Sequence, residues 1–142
     1  MVYFKKIRII LKQEVPMETV TKQFRKRNAI LKCLQETDCH PSAEMVHELL
    51  QQEHPDISLA TIYRNLARFR EEGIITGVAT VQGTERFDAY TLPHVHFICT
   101  NCSAVMDLPR IPIPQYPREA LEGCQVDTCQ LTFTGLCSKC RA

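Results

Sequence analysis

Residues 58–90 read SLATIYRNLARFREEGIITGVATVQGTERFDAY, and this stretch decides the fold of the first half of the chain. Leu59, Ile62, Leu66 and Phe69 recur at spacings of 3, 4 and 3, one apolar face of an amphipathic helix, with Ser58 as its N-cap and Gly73 as its stop. The opposite face carries Thr61, Arg64, Asn65 and Arg68 with Tyr63 alongside, groups suited to phosphate oxygens and base edges. An ordinary solvated face accounts for the same pattern about equally well. After the glycine, residues 74–81 and 85–90 are β-prone runs joined through Gln82-Gly83-Thr84, the pattern of a hairpin.

Upstream, Ala29, Ile30, Leu31, Cys33 and Leu34 form a short apolar helical stripe. Ser42 caps a second helix whose buried face is expected from Val46, Leu49 and Leu50, and His54-Pro55-Asp56 ends it. Three helices followed by a two-stranded wing predict a winged helix-turn-helix. Downstream the pattern changes near residues 83–93 to strands around paired cysteines, expected at 96–99, 104–108 and 125–136, with one short helix within 116–123. The expected class is α+β: a winged-helix DNA-binding domain over residues 1–88 and a small α/β zinc-containing dimerisation domain over 89–142. Residues 1–16 are a possible extension, as an added helix or as a segment upstream of a start at Met17.

A chain of 142 residues with 44% hydrophobic and 23% charged residues has ordinary globular composition and excludes a large multidomain machine. The longest stretch without Asp, Glu, Lys or Arg, residues 89–106, contains Pro93, His94, His96, Asn101 and two cysteines, so no membrane helix is expected. The opening residues lack a signal-peptide core, which points to the cytoplasm. Net charge is only +1, but residues 1–28 hold eight Lys/Arg against Glu14 and Glu18. Such a basic segment attracts phosphate, although a solvated basic tail is the commoner case.

The eight cysteines are more informative. In a reducing compartment, short paired spacings point to metal rather than disulfides. Cys99-x2-Cys102 and Cys137-x2-Cys140 are two thiolate pairs, and four sulfurs complete a closed tetrahedron suited to structural Zn2+. Cys33, Cys39, Cys124 and Cys129 have no such spacing and are expected to be buried small hydrophobes. A second group is His94-x-His96, with Asp88 before it and Asp107 after it. Residues i and i+2 of a strand share a face, so both imidazoles can reach one ion. A nitrogen and oxygen donor set suits Fe2+, Mn2+ or Zn2+; surface histidines on a strand edge are the plain alternative.

HPSAEMVHELL (40–50), SLATIYRNLARFREEGII (58–75), RFD (86–88), HVHFICTNC (94–102) followed by Val105-Met106-Asp107, and TGLCSKC (134–140) occur in an order and at spacings that resemble the ferric uptake regulator family over about residues 25–140. The resemblance implies a homodimeric metal-dependent repressor that binds palindromic operator DNA through its winged helix. It matches Cys99, Cys102, Cys137 and Cys140 to structural zinc ligands, and His40, Asp88, His94, His96 and Asp107 to a regulatory site for Fe2+ or Mn2+. Aspartates at 88 and 107, where iron-uptake regulators usually carry glutamate, look like the peroxide-sensing branch, in which Fe2+ and hydrogen peroxide oxidise a ligand histidine, here His40 or His94. An iron- or zinc-responsive uptake regulator working by occupancy alone is the alternative. The family's Thr-Pro-x-Arg helix start reads Phe24-Arg25-Lys26-Arg27 here and keeps Arg27 as an expected DNA contact, while Val95 and Cys129 replace residues of an additional metal site, which is expected to be absent.

Two readings from other classes compete. A hydrolytic metalloenzyme built on Asp88, His94 and His96 lacks a separate general base or an H-E-x-x-H signature, so no enzyme is expected. A purely structural zinc-ribbon module leaves the third helix and the histidines unexplained.

Overall fold

The computed structural model describes residues 21–142; the expectations for residues 1–16, for Met17 and for the basic residues before 21 lie outside the described part. Three helices come first: α1 (Lys22–Glu36), α2 (Ala43–Leu50) and α3 (Leu59–Glu71). Each starts where a hydroxyl can take an otherwise unpaired backbone N–H. Thr21 accepts from Phe24, Ser42 from Met45 and Ser58 from Thr61, all at 3.2 Å. Ile30, Leu34, Ala43, Val46, Leu50, Ile57, Ile62, Leu66, Phe69, Ile75 and Phe87 form one core beneath the helices.

Leu49 is not part of that core and is 54% exposed. At 3.6 residues per turn, Ala43, Val46 and Leu50 fall within about 60° of one another and Leu49 lands on their flank. An eight-residue helix has too little length to bury a wider stripe.

The hairpin follows as β1 (Thr76–Val81) and β2 (Thr84–Asp88), antiparallel, with Val81 opposite Thr84. Gln82 (φ 50°) and Gly83 (φ 78°) both occupy the left-handed region, the two-residue turn whose twist matches the strands it joins. The register shifts between Gly77 and Ala79, and Val78 there is buried.

A separate three-stranded sheet has the order β4-β3-β5, from β3 (Val95–Cys99), β4 (Val105–Asp107) and β5 (Leu131–Gly135). β3 pairs antiparallel with β4, placing His96 opposite Asp107, and parallel with β5, placing Val95 opposite Leu131 and Cys99 opposite Gly135. The expected last strand is shorter than residues 125–136, because the preceding residues belong to the crossover a parallel pair requires. The short helix expected within 116–123 is a single 3-10 turn, Arg118–Leu121, ended by Glu122 and Gly123 at positive φ. Among the described residues no helix is long and apolar enough to cross a membrane.

Candidate metal centres and nucleic-acid face

Five side chains converge where the helical part meets the three-stranded sheet. His40 stands in the loop between α1 and α2, Asp88 ends β2, His94 precedes β3, His96 lies in β3 and Asp107 ends β4. One ligand atom from each lies within 4.8 Å of all the others. His40 Nε2 is 3.2 Å from Asp88 Oδ2 and 2.9 Å from Asp107 Oδ1. His94 Nε2 lies 3.0 Å from each of the same two oxygens, and His96 Nε2 lies 3.3 and 3.4 Å from them. Three imidazoles therefore share two carboxylate oxygens.

The surroundings aim these atoms inward. The Nδ1–H of His40 donates to the Val105 carbonyl at 3.3 Å and that of His94 to the Leu92 carbonyl at 2.7 Å, which leaves Nε2 with its lone pair as the donor to a metal. The Tyr90 N–H donates to Asp88 Oδ1 at 2.7 Å, leaving Oδ2 for the centre. The His40 side chain is 3% exposed. Burial disfavours its imidazolium, but hydrogen bonds to Asp107 and Asp88 outweigh that and push its pKa up to about 9. Burial acts to raise Asp88 and Asp107 too, yet His40 in both cases, and His96 and the Tyr90 N–H for Asp88, hold them below the ordinary carboxylate range.

The donor chemistry fits a divalent cation. Two acidic oxygens crowded by three imidazole nitrogens and no sulfur form a borderline-hard set of the kind Fe2+ and Mn2+ take.

Cys99, Cys102, Cys137 and Cys140 form the second cluster, their sulfurs also within 4.8 Å of one another. Cys102 and Cys137 Sγ are 3.8 Å apart. That is the edge of a tetrahedron with zinc–sulfur bonds of about 2.3 Å. Backbone N–H groups of Cys102 and Cys137 point at Cys99 and hold its thiol down at about 6, the direction a metal-binding thiolate needs. The site fits structural Zn2+. Of the other four cysteines, Cys33 is half-buried against the helical core, while Cys39, Cys124 and Cys129 depart from expectation and are exposed. Cys124 and Cys129 lie in the crossover before β5, where residues 122–130 are exposed.

Of the residues expected to meet DNA, Arg27, Thr61, Arg64, Asn65 and Arg68 line one groove of about 550 Å³ between α1 and α3. Lys22 and Lys26, from the basic segment read as attracting phosphate, line it as well. Arg27 is also a packing residue: its guanidinium lies 4.4 Å over the Phe69 ring and donates to Glu72 at 2.5 Å. Asn65 donates to the Thr61 carbonyl of its own helix at 2.8 Å. Tyr63 is apart from this set. Its hydroxyl donates to Glu44, and it lines a neighbouring groove toward the hairpin.

Arg86 is the residue that sequence reading missed. It is 8% exposed, and its guanidinium donates to three backbone carbonyls: His40 at 2.5 Å, Cys39 at 2.8 Å and Ser103 at 3.0 Å. His40 (φ 49°) and Ser103 (φ 61°) are both non-glycine residues in the left-handed region, a conformation that costs each about 1 kcal/mol or more. The quoted RFD motif contained Arg86, but nothing local marks which carbonyls it reaches.

The chain is similar over most of its length to proteins already known. The peroxide operon regulator of Bacillus subtilis (strain 168) is 32% identical over 129 residues, covering 89% of this chain and 89% of that protein. Among solved structures, the Campylobacter jejuni peroxide stress regulator superposes with a TM-score of 0.67 at 26% identity, covering 84% of this chain and 91% of that one. The Francisella tularensis ferric uptake regulator, solved with iron, gives a TM-score of 0.65 at 25% identity over 87% of this chain and 95% of that one. The profile of the ferric uptake regulator family matches residues 18–134, and the chain is a member of that family of metal-responsive transcriptional regulators.

Proposed function

We propose that this regulator is a cytoplasmic homodimeric repressor that binds palindromic operator DNA when His40, Asp88, His94, His96 and Asp107 hold Fe2+ or Mn2+, and that it senses peroxide through oxidation of His40 or His94. The carrying observation is that His40, from the loop ahead of α2, shares the Asp107 and Asp88 oxygens with His94 and His96. Residues 1–88 are the DNA-reading unit and 89–142 the dimerisation unit in this reading, so His40 and Asp107 belong to different units. Membership of the family sets the hydrolase alternative aside, since these proteins are transcriptional regulators and not enzymes.

Bound Fe2+ supplies the redox chemistry by which peroxide oxidises an imidazole, whereas bound Mn2+ supplies the cross-link alone. The residues do the rest. Five ligands clip the two units at one angle, and in a two-fold dimer that angle sets whether two α3 helices stand about 34 Å apart, one turn of B-DNA. Arg64, Arg68, Lys22, Lys26 and Arg27 present positive charge along one groove for backbone phosphates, while Thr61, Tyr63 and Asn65 stand on α3 for sugar and base edges. Transfer of one peroxide oxygen to the ring of His40 or His94, the other leaving as water, would remove one nitrogen donor from the five-ligand set and release the clip. Cys99, Cys102, Cys137 and Cys140 hold Zn2+ and tie β3 to the residues that follow β5.

Dimerisation is supported by Met106, Phe97 and Phe133, which stand in register across β4-β3-β5 on the face opposite His96. Phe133 is 42% exposed in the single chain, an apolar row that a second copy can cover.

Protein loaded with Fe2+ or with Mn2+ is given dilute peroxide under controlled oxygen, and peptides containing His40 and His94 are weighed. A gain of one oxygen with Fe2+ only, together with loss of operator binding, supports the sensor. Unmodified histidines with iron bound leave an occupancy switch, the iron- or zinc-uptake reading.

A further inference from the structure

We propose that Arg86 is a positioning residue that couples the two metal centres, so that order in the Cys99–Cys102 turn presets His40 for the regulatory ion. The inference rests on the reading of the five-residue cluster as the regulatory site and adds a device that neither centre contains by itself.

Arg86 lies in β2 between the two clusters and ligates in neither. Its Nε and one terminal nitrogen take the carbonyls of His40 and Cys39, and its other terminal nitrogen takes the carbonyl of Ser103, the residue after Cys102. A planar guanidinium holds its donors in a rigid fork, so these carbonyls are fixed relative to one another, which a flexible ammonium cannot do. Both ends of the clamp are strained backbone. His40 and Ser103 are left-handed, and the Ser103 N–H donates to the Cys99 carbonyl at 3.0 Å, closing the turn that aims Cys99 and Cys102.

The neighbours of Arg86 hold the same loop. The Phe87 N–H donates to the Pro41 carbonyl at 3.1 Å, and Asp88 faces the His40 imidazole. Residues 86–88 thus grip residues 39–41 by backbone and side chain together, and only Arg86 carries the grip on to the cysteine turn. A turn ordered by thiolate ligation holds the Ser103 carbonyl in place for Arg86. Arg86 in turn holds the His40 backbone so that Nε2 meets the shared carboxylates without rearrangement. By linkage, an ion at the regulatory site must steady the cysteine turn in return.

The test uses the full zinc-loaded chain and its Arg86→Gln and Arg86→Lys variants. Three quantities are read: Mn2+ affinity from free Mn2+ by electron paramagnetic resonance, zinc content, and the rate at which a chelator removes zinc with and without saturating Mn2+. In the wild type, Mn2+ is expected to slow zinc release. Arg86→Gln is expected to keep one zinc per chain, to bind Mn2+ about tenfold or more weakly, and to lose the effect of Mn2+ on zinc release, with Arg86→Lys in between. A purely structural arginine changes melting or zinc content and leaves the coupling intact, which overturns the proposal. So does Mn2+ affinity within twofold of wild type in a zinc-replete Arg86→Gln chain. If Arg86→Gln fails to take up zinc, Arg86→Lys and the wild type decide: a wild type that binds Mn2+ tightly but releases zinc at an unchanged rate refutes the coupling. A wild type that binds no Mn2+ refutes the regulatory-site reading itself, a distinct result.

Discussion

His40 Nε2 lies 2.9 Å from Asp107 Oδ1, although one residue sits in the loop ahead of α2 and the other at the end of β4. The contact joins the helical part to the three-stranded sheet through a buried imidazole and a half-buried carboxylate. Replacing His40 by alanine leaves four of the five donors and cuts the link from the helical side. Mn2+-dependent operator binding is expected to weaken by well over about tenfold, since loss of a ligand costs more than loss of its hydrogen-bond partner. Zinc content and dimer mass stay at wild-type values. Gel-shift titration at limiting Mn2+ checks this, and wild-type affinity in the variant would count against the clip.

The cysteine cluster joins the end of β3 to the residues that follow β5. Structural zinc in small domains is worth about 10–16 kcal/mol, more than a typical domain's net stability of about 5–15 kcal/mol. Cys137→Ser, or a strong chelator, is therefore expected to unfold β3, β4 and β5. Circular dichroism and chelator titration follow the loss, and a sheet that persists without zinc would contradict it.

Without the regulatory ion, the proton on His40 holds the two carboxylates. With the His40 pKa raised from 6.5 to about 9, this stabilisation is complete below pH 6.5 and fades as pH rises through 9. The lowered Asp88 and Asp107 contribute above their ordinary value of 3.8 and lose that contribution as pH falls below it. The melting temperature of zinc-loaded, Mn2+-free protein is expected to be highest between about pH 4 and 6.5 and to decline toward pH 9.5. Mn2+ must displace the His40 proton, so its apparent affinity rises toward alkaline pH, by up to about tenfold per unit. Calorimetry in buffers of different ionisation enthalpy counts the released proton.

Arg64 and Arg68 line the groove between α1 and α3, and each is exposed. If they meet phosphates, Arg64→Ala or Arg68→Ala weakens binding to all duplexes alike and reduces the slope of log affinity against log salt by about one. A loss confined to the preferred operator instead assigns the side chain to a base edge. Binding isotherms at several salt concentrations separate the two outcomes.

Ile62 is fully buried in the face that α3 turns to the core. Ile62→Ala is expected to lower the unfolding free energy by about 2–5 kcal/mol through lost burial and the cavity left behind. Denaturant unfolding measures it, and a cost below about 1 kcal/mol would mean that the core closes over the gap.

Much of this protein was legible without its structure because the signals are short in range. Helix caps at Ser42 and Ser58, the turn at Gln82-Gly83 and the two cysteine knuckles each depend on residues a few positions apart, whose geometry the backbone dictates locally. His94 and His96 come together over an equally short range, His94 just ahead of β3 and His96 within it. Packing decided what local pattern could not. It turned Leu49 outward, left Cys39, Cys124 and Cys129 exposed, and used Arg27 to brace Phe69 while lining the groove. Resemblance to a family could nominate His40, but only the folded chain brings its ring to the Val105 carbonyl across 65 positions of sequence and sets its Nε2 against Asp107. Arg86 marks the limit most clearly, because its partners are backbone carbonyls and a carbonyl has no sequence identity. Side-chain periodicity records which face of an element is buried; which distant backbone a buried guanidinium must satisfy is decided only when the tertiary structure closes around it.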